Sequence, residues 1–477
     1  MPSPLSRRNF LGATTLAAAA IATGNTSALA QPTLAQPTLA QPTLAKLPRA
    51  KLPNPTASLV TRWDTDRWSL GAYSALPVGA TAGVRQTLAR AIVNNRLVFA
   101  GEYTDPEYPA TVQGALRSGE RAARTLIAND PGPKIIVIGA GMAGVSAARD
   151  LTSSGAQVVV VEARDRIGGR VHTNTSWGLP VEMGAAWVHA LKSNPLVPLA
   201  QQAQLKLVPS DYDNESFRDT KTGRPSPSAE RASNQLFSLL GRLENSWPNP
   251  STSVASWLHQ HGLPVNRFTT WSVETGIVQE YGLNASRLGA RAPTEGADFL
   301  GGDAFVSGGY QRIPELLAAG LEVRLNSPVV NIDVSQSNGV HVTLESGAVL
   351  TADAVVVAVP VSLLQAQSPR ITGLSKAIQA AIGGIATGDL EKVILRYDKQ
   401  WWGRETVFGI VGGGVPAQSS ILAPGSALRW TEFYNLTDVV GAPTLVGFSG
   451  GSAARTRPKS DSACVAEALA MLQAAFR

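Results

Sequence analysis

The sequence predicts an α/β protein in which a Rossmann-like dinucleotide-binding domain is interleaved with an α+β substrate domain. Three observations predict it. The apolar run Ile135-Ile136-Val137-Ile138 leads directly into Gly139-Ala140-Gly141-Met142-Ala143-Gly144. A helical stretch to Ser153, a Ser153-Ser154-Gly155 turn and a second apolar run, Val158 to Val161, follow and end at Glu162. Two further strand-like segments, one ending at Gly101-Glu102 and one spanning Ala354 to Pro360, lie far from this unit on either side.

Each piece of the β-α-β unit has a physical task. Gly139 permits a tight turn, Gly141 lets a pyrophosphate approach the backbone, and Gly144 lets helix and strand pack closely. The helix start through Ala143 offers unpaired N–H groups and a partial positive charge to phosphates. Glu162, at the end of the second strand, is placed to accept hydrogen bonds from the ribose hydroxyls of an adenosine. A lone G-x-G-x-x-G is weak evidence; with flanking strands, helix and acidic residue it specifies a dinucleotide site.

The rest of the chain narrows the class. The 477 residues carry a net charge of +6, and no dense basic run follows the first residues, so no nucleic-acid surface is expected. Cys464 is the one cysteine, which excludes an intrachain disulfide and a cysteine-based zinc site. Nothing after residue 30 is long and apolar enough to span a bilayer. Ser6-Arg7-Arg8-Asn9-Phe10-Leu11, an Ala-rich stretch to Ala22 and Ala28-Leu29-Ala30 resemble a bacterial twin-arginine (Tat) signal. That resemblance implies export, already folded, through the Tat machinery to the periplasm or beyond, with cleavage after Ala30. Gln-Pro-Thr-Leu-Ala then occurs three times from 31 to 45, where regular proline blocks a helix, and 31–52 reads as a flexible tether.

Glu162-Ala163-Arg164-Asp165-Arg166-Ile167-Gly168-Gly169-Arg170 resembles the E-A-x-x-x-x-G-G-R signature of the flavin-containing amine oxidase family. That family includes monoamine and polyamine oxidases and lysine-specific histone demethylases. The resemblance implies FAD, with Gly169 allowing close backbone approach and Arg164 and Arg170 neutralising phosphate charge. Val181 to His189, with Gly184 and Ala185, is similar to the family's next flavin-contacting segment. Val329 matches a valine near the adenine. Gly388-Asp389-Leu390-Glu391-Lys392-Val393-Ile394-Leu395 matches the segment whose lysine, here Lys392, holds a water against the flavin.

Other family motifs stand near the beginning. Arg62 to Ser74, Leu97 to Thr104 and Tyr108 to Ala115 are similar to segments that normally close the chain. Trp68 matches an aromatic packed on the isoalloxazine, and Tyr73 one that walls the substrate amine. Gly101 and Glu102 match the ribityl-binding positions. Thr111 and Val112 open a helix whose N-terminus would face the flavin pyrimidine, where charge builds up on reduction. Ala72 replaces the cysteine that carries covalent flavin in monoamine oxidases, so FAD should be non-covalent. Thr111 in Tyr-Pro-Ala-Thr-Val, and His189 in Trp-Val-His, are more similar to polyamine oxidases.

The motif order implies a circular permutation. The apolar-striped helix Cys464 to Phe476 would normally run into a strand like Thr56 to Trp63, and Ala128 to Pro133 joins the family's usual ends. The expected domains are a substrate domain of 53–83, 191–300 and 372–477 and an FAD domain of 84–190 and 301–371. Residues 210 to 300, with helices over Ala229 to Leu243 and Val254 to His261, would shape the pocket. The expected activity is oxidation of a primary or secondary amine, polyamine or monoamine, by FAD, with O2 reduced to H2O2. An L-amino-acid oxidase, a carotenoid or porphyrinogen desaturase and a non-catalytic flavin-binding protein remain alternatives.

Overall fold

The structure is a computed structural model and describes residues 51–297, 300–336, 339–412 and 428–477. The expected export signal and most of the tether lie outside the described residues. Among the described residues no helix is long and apolar enough to cross a membrane.

A six-stranded sheet carries the fingerprint. Its order is Glu322–Arg324, Gln157–Val161, Lys134–Ile138, Ala354–Val357, Leu97–Phe99 and Ile92–Val93, parallel except for the last pairing. Strands buried on both faces read as continuous apolar runs, which is why these segments stood out in sequence. Side chains alternate across the sheet. Ile135 and Val137 pack towards helices Val112–Asn129 and Met142–Ser153, whereas Ile136 and Ile138 pack towards a four-stranded sheet containing Val329–Asp333. The two helices approach closely: a Cβ built on Gly119 would stand 2.1 Å from the Ala143 carbonyl oxygen.

A seven-stranded sheet forms the second body. Its order is Ala57–Val60, Leu390–Arg396, Thr444–Gly450, Glu432–Asn435, Val407–Val411, Glu215–Asp219 and Arg224–Pro225. Val393, Leu395, Phe408 and Phe433 pack against helix Asp461–Ala475. Lys392 and Ile394 point the other way, towards the first body. A helical layer of Pro227–Glu244, Val254–Gln260 and Arg267–Val273 completes this body, and a turn of π-helix, Glu274–Val278, continues the last helix. The expected helices over Ala229 to Leu243, Val254 to His261 and Cys464 to Phe476 are all present, each within a few residues of its expected ends.

Candidate active site

A cavity of about 440 Å³ runs between the two bodies. Every catalytic residue expected from sequence lines it: Tyr73, Thr111, His189 and Lys392. The fingerprint glycines Gly139 and Gly141, together with Glu162, Arg170, Val329 and Glu102, line it too.

The three fingerprint glycines differ as the physics requires. Gly139 has a φ of +100° and its added Cβ would meet the Ala358 carbonyl oxygen at 2.9 Å. At Gly144 the Cβ would stand 1.8 Å from the Gly139 carbonyl oxygen, so only hydrogen fits between helix and strand. At Gly141 nothing lies within 4 Å, because that side of the backbone faces the cavity. One Glu162 carboxylate oxygen accepts from the Ala140 N–H at 2.7 Å and the other from the Arg164 N–H at 2.8 Å, which fixes the carboxylate at the cavity wall. This cradle has the shape and donors that a dinucleotide needs.

The far end is built by the segment near the chain's beginning. Thr111 caps helix Val112–Asn129: its Oγ1 accepts from the Gly114 N–H at 2.9 Å and donates to the Tyr108 carbonyl at 2.8 Å. Glu102 is buried beneath that helix start. Its Oε2 accepts from Ser74 Oγ at 2.5 Å and the Ala110 N–H at 2.9 Å, and its Oε1 from Arg170 at 3.0 Å. Arg85, fully buried, donates to Ser74 Oγ and forms a two-pronged ion pair with Glu295. Gly101, at φ +137°, lets the chain turn over the Tyr103 ring.

Lys392 reaches the cavity from the second body. Its Nζ donates to the carbonyl oxygens of Glu182 at 2.9 Å and Gly184 at 2.5 Å, and lies 5.9 Å from the Phe448 ring centre. Its backbone N–H donates to Thr61 Oγ1, which in turn donates to Glu391 Oε2 at 2.5 Å. Burial pushes the Glu391 carboxyl up to about 7, although Arg457 and Thr61 favour its charged form. Burial also raises Glu182 to about 7, against the pull of the Tyr310 N–H, Thr173 and Lys392.

The two arginines expected near the phosphates, Arg164 and Arg170, also have partners within the protein. The Arg164 guanidinium donates to Asp66, at 2.9 and 2.7 Å, and to Ser69, so it holds the loop around Trp68. Arg170 is shared between Glu102 and the Ala72 carbonyl. His189 Nδ1 lies 2.8 Å from Asp303 Oδ2, which also accepts from the Tyr212 hydroxyl at 3.3 Å. Asp303 and Tyr212 were not foreseen: they lie 114 and 23 residues from His189, and no local pattern marks them. Tyr73 lines the cavity while its hydroxyl donates to the Gln279 carbonyl at 2.8 Å. Trp68 lines it with Arg67 stacked 4.2 Å from its ring centre. Among the described residues no group of acidic, histidine or cysteine side chains could hold a metal ion.

Fold and site together define a dinucleotide cradle between two bodies, with a buried lysine lining the same cavity. The family is given by comparison. The profile described as "Flavin containing amine oxidoreductase" matches residues 33–127 and 142–477, and the chain belongs to that family. Polyamine oxidase 2 of Arabidopsis thaliana is 30% identical over 380 residues, covering 72% of each chain. Lysine-specific histone demethylase 2 of Homo sapiens is 28% identical over 371 residues, covering 72% of this chain and 44% of that one. A solved putrescine oxidase variant with redesigned cofactor binding superposes with a TM-score of 0.53 at 21% identity, covering 71% of this chain and 81% of that one, which shows a shared fold. The chain is therefore a flavin-dependent enzyme, and the dinucleotide fingerprint makes the flavin FAD.

Proposed function

We propose that the protein is an oxidase of primary or secondary amines, polyamine or monoamine, that holds FAD non-covalently. Bound FAD supplies the hydride acceptance, with O2 as the final acceptor and H2O2 as product. The chain's residues bind, orient and manage protons. The observation that supports the reading is that Lys392, its Nζ held by the Glu182 and Gly184 carbonyls, lines the same cavity as Thr111 and Tyr73. Lys392, anchored by two carbonyls, positions a water at the reacting face. The N-terminus of helix Val112–Asn129 places N–H groups and dipole where negative charge accumulates. Tyr73, Phe448 and Trp187 line the cavity with aromatic faces suited to an amine that arrives cationic. His189, oriented by Asp303, stands ready to take the proton that the ammonium must lose. Ala72 offers no thiol for a flavin linkage.

The same reading includes a circular permutation. It is supported by the parallel pairing of Leu97–Phe99 with Ala354–Val357, and of the latter with the fingerprint strand. It is also supported by the Leu52 N–H donating to Gln473 Oε1 at 2.8 Å, which brings the two sides of the rearranged connection together. A gene reordered to begin at residue 134, with 53–127 following 477, should give flavin-loaded protein. Loss of flavin binding in that order would argue against permutation. Residues 1–30 are proposed to direct Tat export, so Arg7→Lys with Arg8→Lys should leave the protein in the cytoplasm.

The activity is tested by peroxide-coupled turnover of purified, flavin-loaded protein with spermidine, putrescine, tyramine and L-amino acids. Peroxide from amines supports the proposal; peroxide from amino acids alone would transfer the assignment to an amino-acid oxidase.

A further inference from the structure

Arg85, in helix Gly83–Arg90, is fully buried behind the cavity wall, and the two side chains it meets, Ser74 and Glu295, both line the cavity. A buried guanidinium is costly unless it is fully paired. Its planar fork also holds two groups in a fixed relation, as a lysine cannot. Here Nε and Nη2 each donate to the Glu295 carboxylate at 2.9 Å, while Nη1 donates to Ser74 Oγ at 2.7 Å. Ser74 Oγ in turn donates to Glu102 Oε2 at 2.5 Å. A continuous chain of hydrogen bonds therefore runs from Glu102 through Ser74 and Arg85 to Glu295. Its start is the carboxylate expected to meet the ribityl chain of FAD, and its end is the loop that supplies Ala292, Pro293 and Glu295 to the cavity.

A second arm leaves the same Glu102 oxygen. Glu102 Oε2 also accepts from the Ala110 N–H at 2.9 Å. Before Ala110 the chain is turned by Asp105, whose Oδ1 accepts from the Glu107 and Tyr108 N–H groups at 2.9 and 2.8 Å. The Glu107 carbonyl then accepts from the Ala297 N–H at 2.7 Å. That approach needs Gly296, at φ +94°, where a Cβ would stand 2.8 Å from the Glu107 carbonyl oxygen. The loop is thus pinned at Glu295 and at Ala297, and both pins trace back to one carboxylate oxygen. Hydrogen bonds linked in this way inside a protein polarise and orient one another, so a ligand that engages the Glu102 carboxylate acts on the loop as well.

We infer that Arg85 is a positioning residue that couples the FAD seat to the cavity wall formed by 292–297, so that this wall sets when the cofactor engages Glu102. The coupling is reciprocal: whatever orders the loop tightens FAD binding. The inference goes beyond the proposed reaction and rests on the cofactor alone, so it stands or falls independently of the amine. Amide hydrogen exchange of the purified protein, stripped of flavin and reloaded with FAD, reads the coupling. The Thr294 and Glu295 N–H groups, bonded to the Arg291 and Ala292 carbonyls, should exchange at least about tenfold more slowly in wild-type protein with FAD than without. Ser74→Ala cuts the chain beside Glu102 and leaves the Arg85–Glu295 fork in place. At saturating FAD it should reduce that gain below about threefold, and Arg85→Lys should do the same. The Ala297 N–H, held through the Ala110 arm, should stay within about threefold of wild type in Ser74→Ala. A wild-type loop whose exchange FAD leaves unchanged overturns the inference without any variant. So does Ser74→Ala with the wild-type gain intact, because FAD would then order the loop without the chain. Equal loss of protection at Ala297 marks general loosening, reduces Arg85 to a structural ion pair, and overturns the inference as well.

Discussion

Replacing Gly141 and Gly144 separately by alanine separates cofactor space from protein space. At Gly144 the new methyl would lie 1.8 Å from the Gly139 carbonyl oxygen, against an ordinary closest approach of roughly 3.5 Å. The obstacle is backbone, so helix Met142–Ser153 would have to back off its strand by well over an ångström. Overpacking of this kind costs about 1–3 kcal/mol or more. Gly144→Ala should therefore lower the thermal midpoint with or without FAD. At Gly141 the methyl meets no protein atom within 4 Å, and the backbone already has an ordinary extended geometry, φ −74° and ψ 176°. Gly141→Ala should fold as well as wild type. If a pyrophosphate packs on that backbone, the methyl displaces one or two charge-assisted hydrogen bonds, about 1.5–3 kcal/mol each. That corresponds to at least roughly tenfold weaker FAD binding. Fluorescence titration of stripped protein with FAD gives the affinity, and thermal unfolding gives the fold. An FAD affinity within threefold of wild type in Gly141→Ala would refute the cofactor placement.

Three further outcomes follow from the geometry. Thr111→Ala removes the hydroxyl that accepts from the Gly114 N–H, so it should cost about 1 kcal/mol, visible as a small fall in thermal midpoint. Glu391 and Glu182 both sit at about 7 in the folded chain against 4.5 ordinarily, so the folded state holds protons that the unfolded state has released between those values. Stability should fall as pH rises through that window, by up to about 3 kcal/mol per group, and Glu391→Gln should flatten the slope measured by urea unfolding at several pH values. Asp66, half-buried and held below its ordinary value of 3.8 by Arg164 against the opposing effect of burial, acts only at lower pH and leaves the window clear. Asp303→Asn should lower kcat/KM for amine, because His189 loses the carboxylate that orients its ring; an unchanged kcat/KM in the flavin-loaded variant would remove that role.

The parts legible in sequence were those with local chemistry. Gly139, Gly141 and Gly144 each show the environment that their spacing implied, and the Thr111 cap sits where Tyr-Pro-Ala-Thr-Val placed it. Buried parallel strands announce themselves as apolar runs, so 134–138 and 354–357 could be read directly. What escaped was long-range. The Asp303 carboxylate reaches His189 across 114 residues, and Arg85 meets Glu295 across 210. The Thr61–Glu391–Lys392 relay spans more than 300 residues of chain and depends on Ala57–Val60 pairing with Leu390–Arg396. The Arg164 pairing with Asp66 was not legible because a signature shows a residue type but not its partner, and Asp66 lies 98 residues earlier.

The central claim is tested most directly by mixing the flavin-loaded protein anaerobically with putrescine or spermidine and following the flavin absorbance. Wild-type protein should bleach in a single amine-dependent phase and recover on admission of O2 with release of H2O2. Lys392→Met, still loaded with flavin, should bleach on the order of a hundredfold more slowly. A wild-type flavin that stays oxidised under excess amine would contradict the amine-oxidase account, and a variant that bleaches at the wild-type rate would remove Lys392 from its centre.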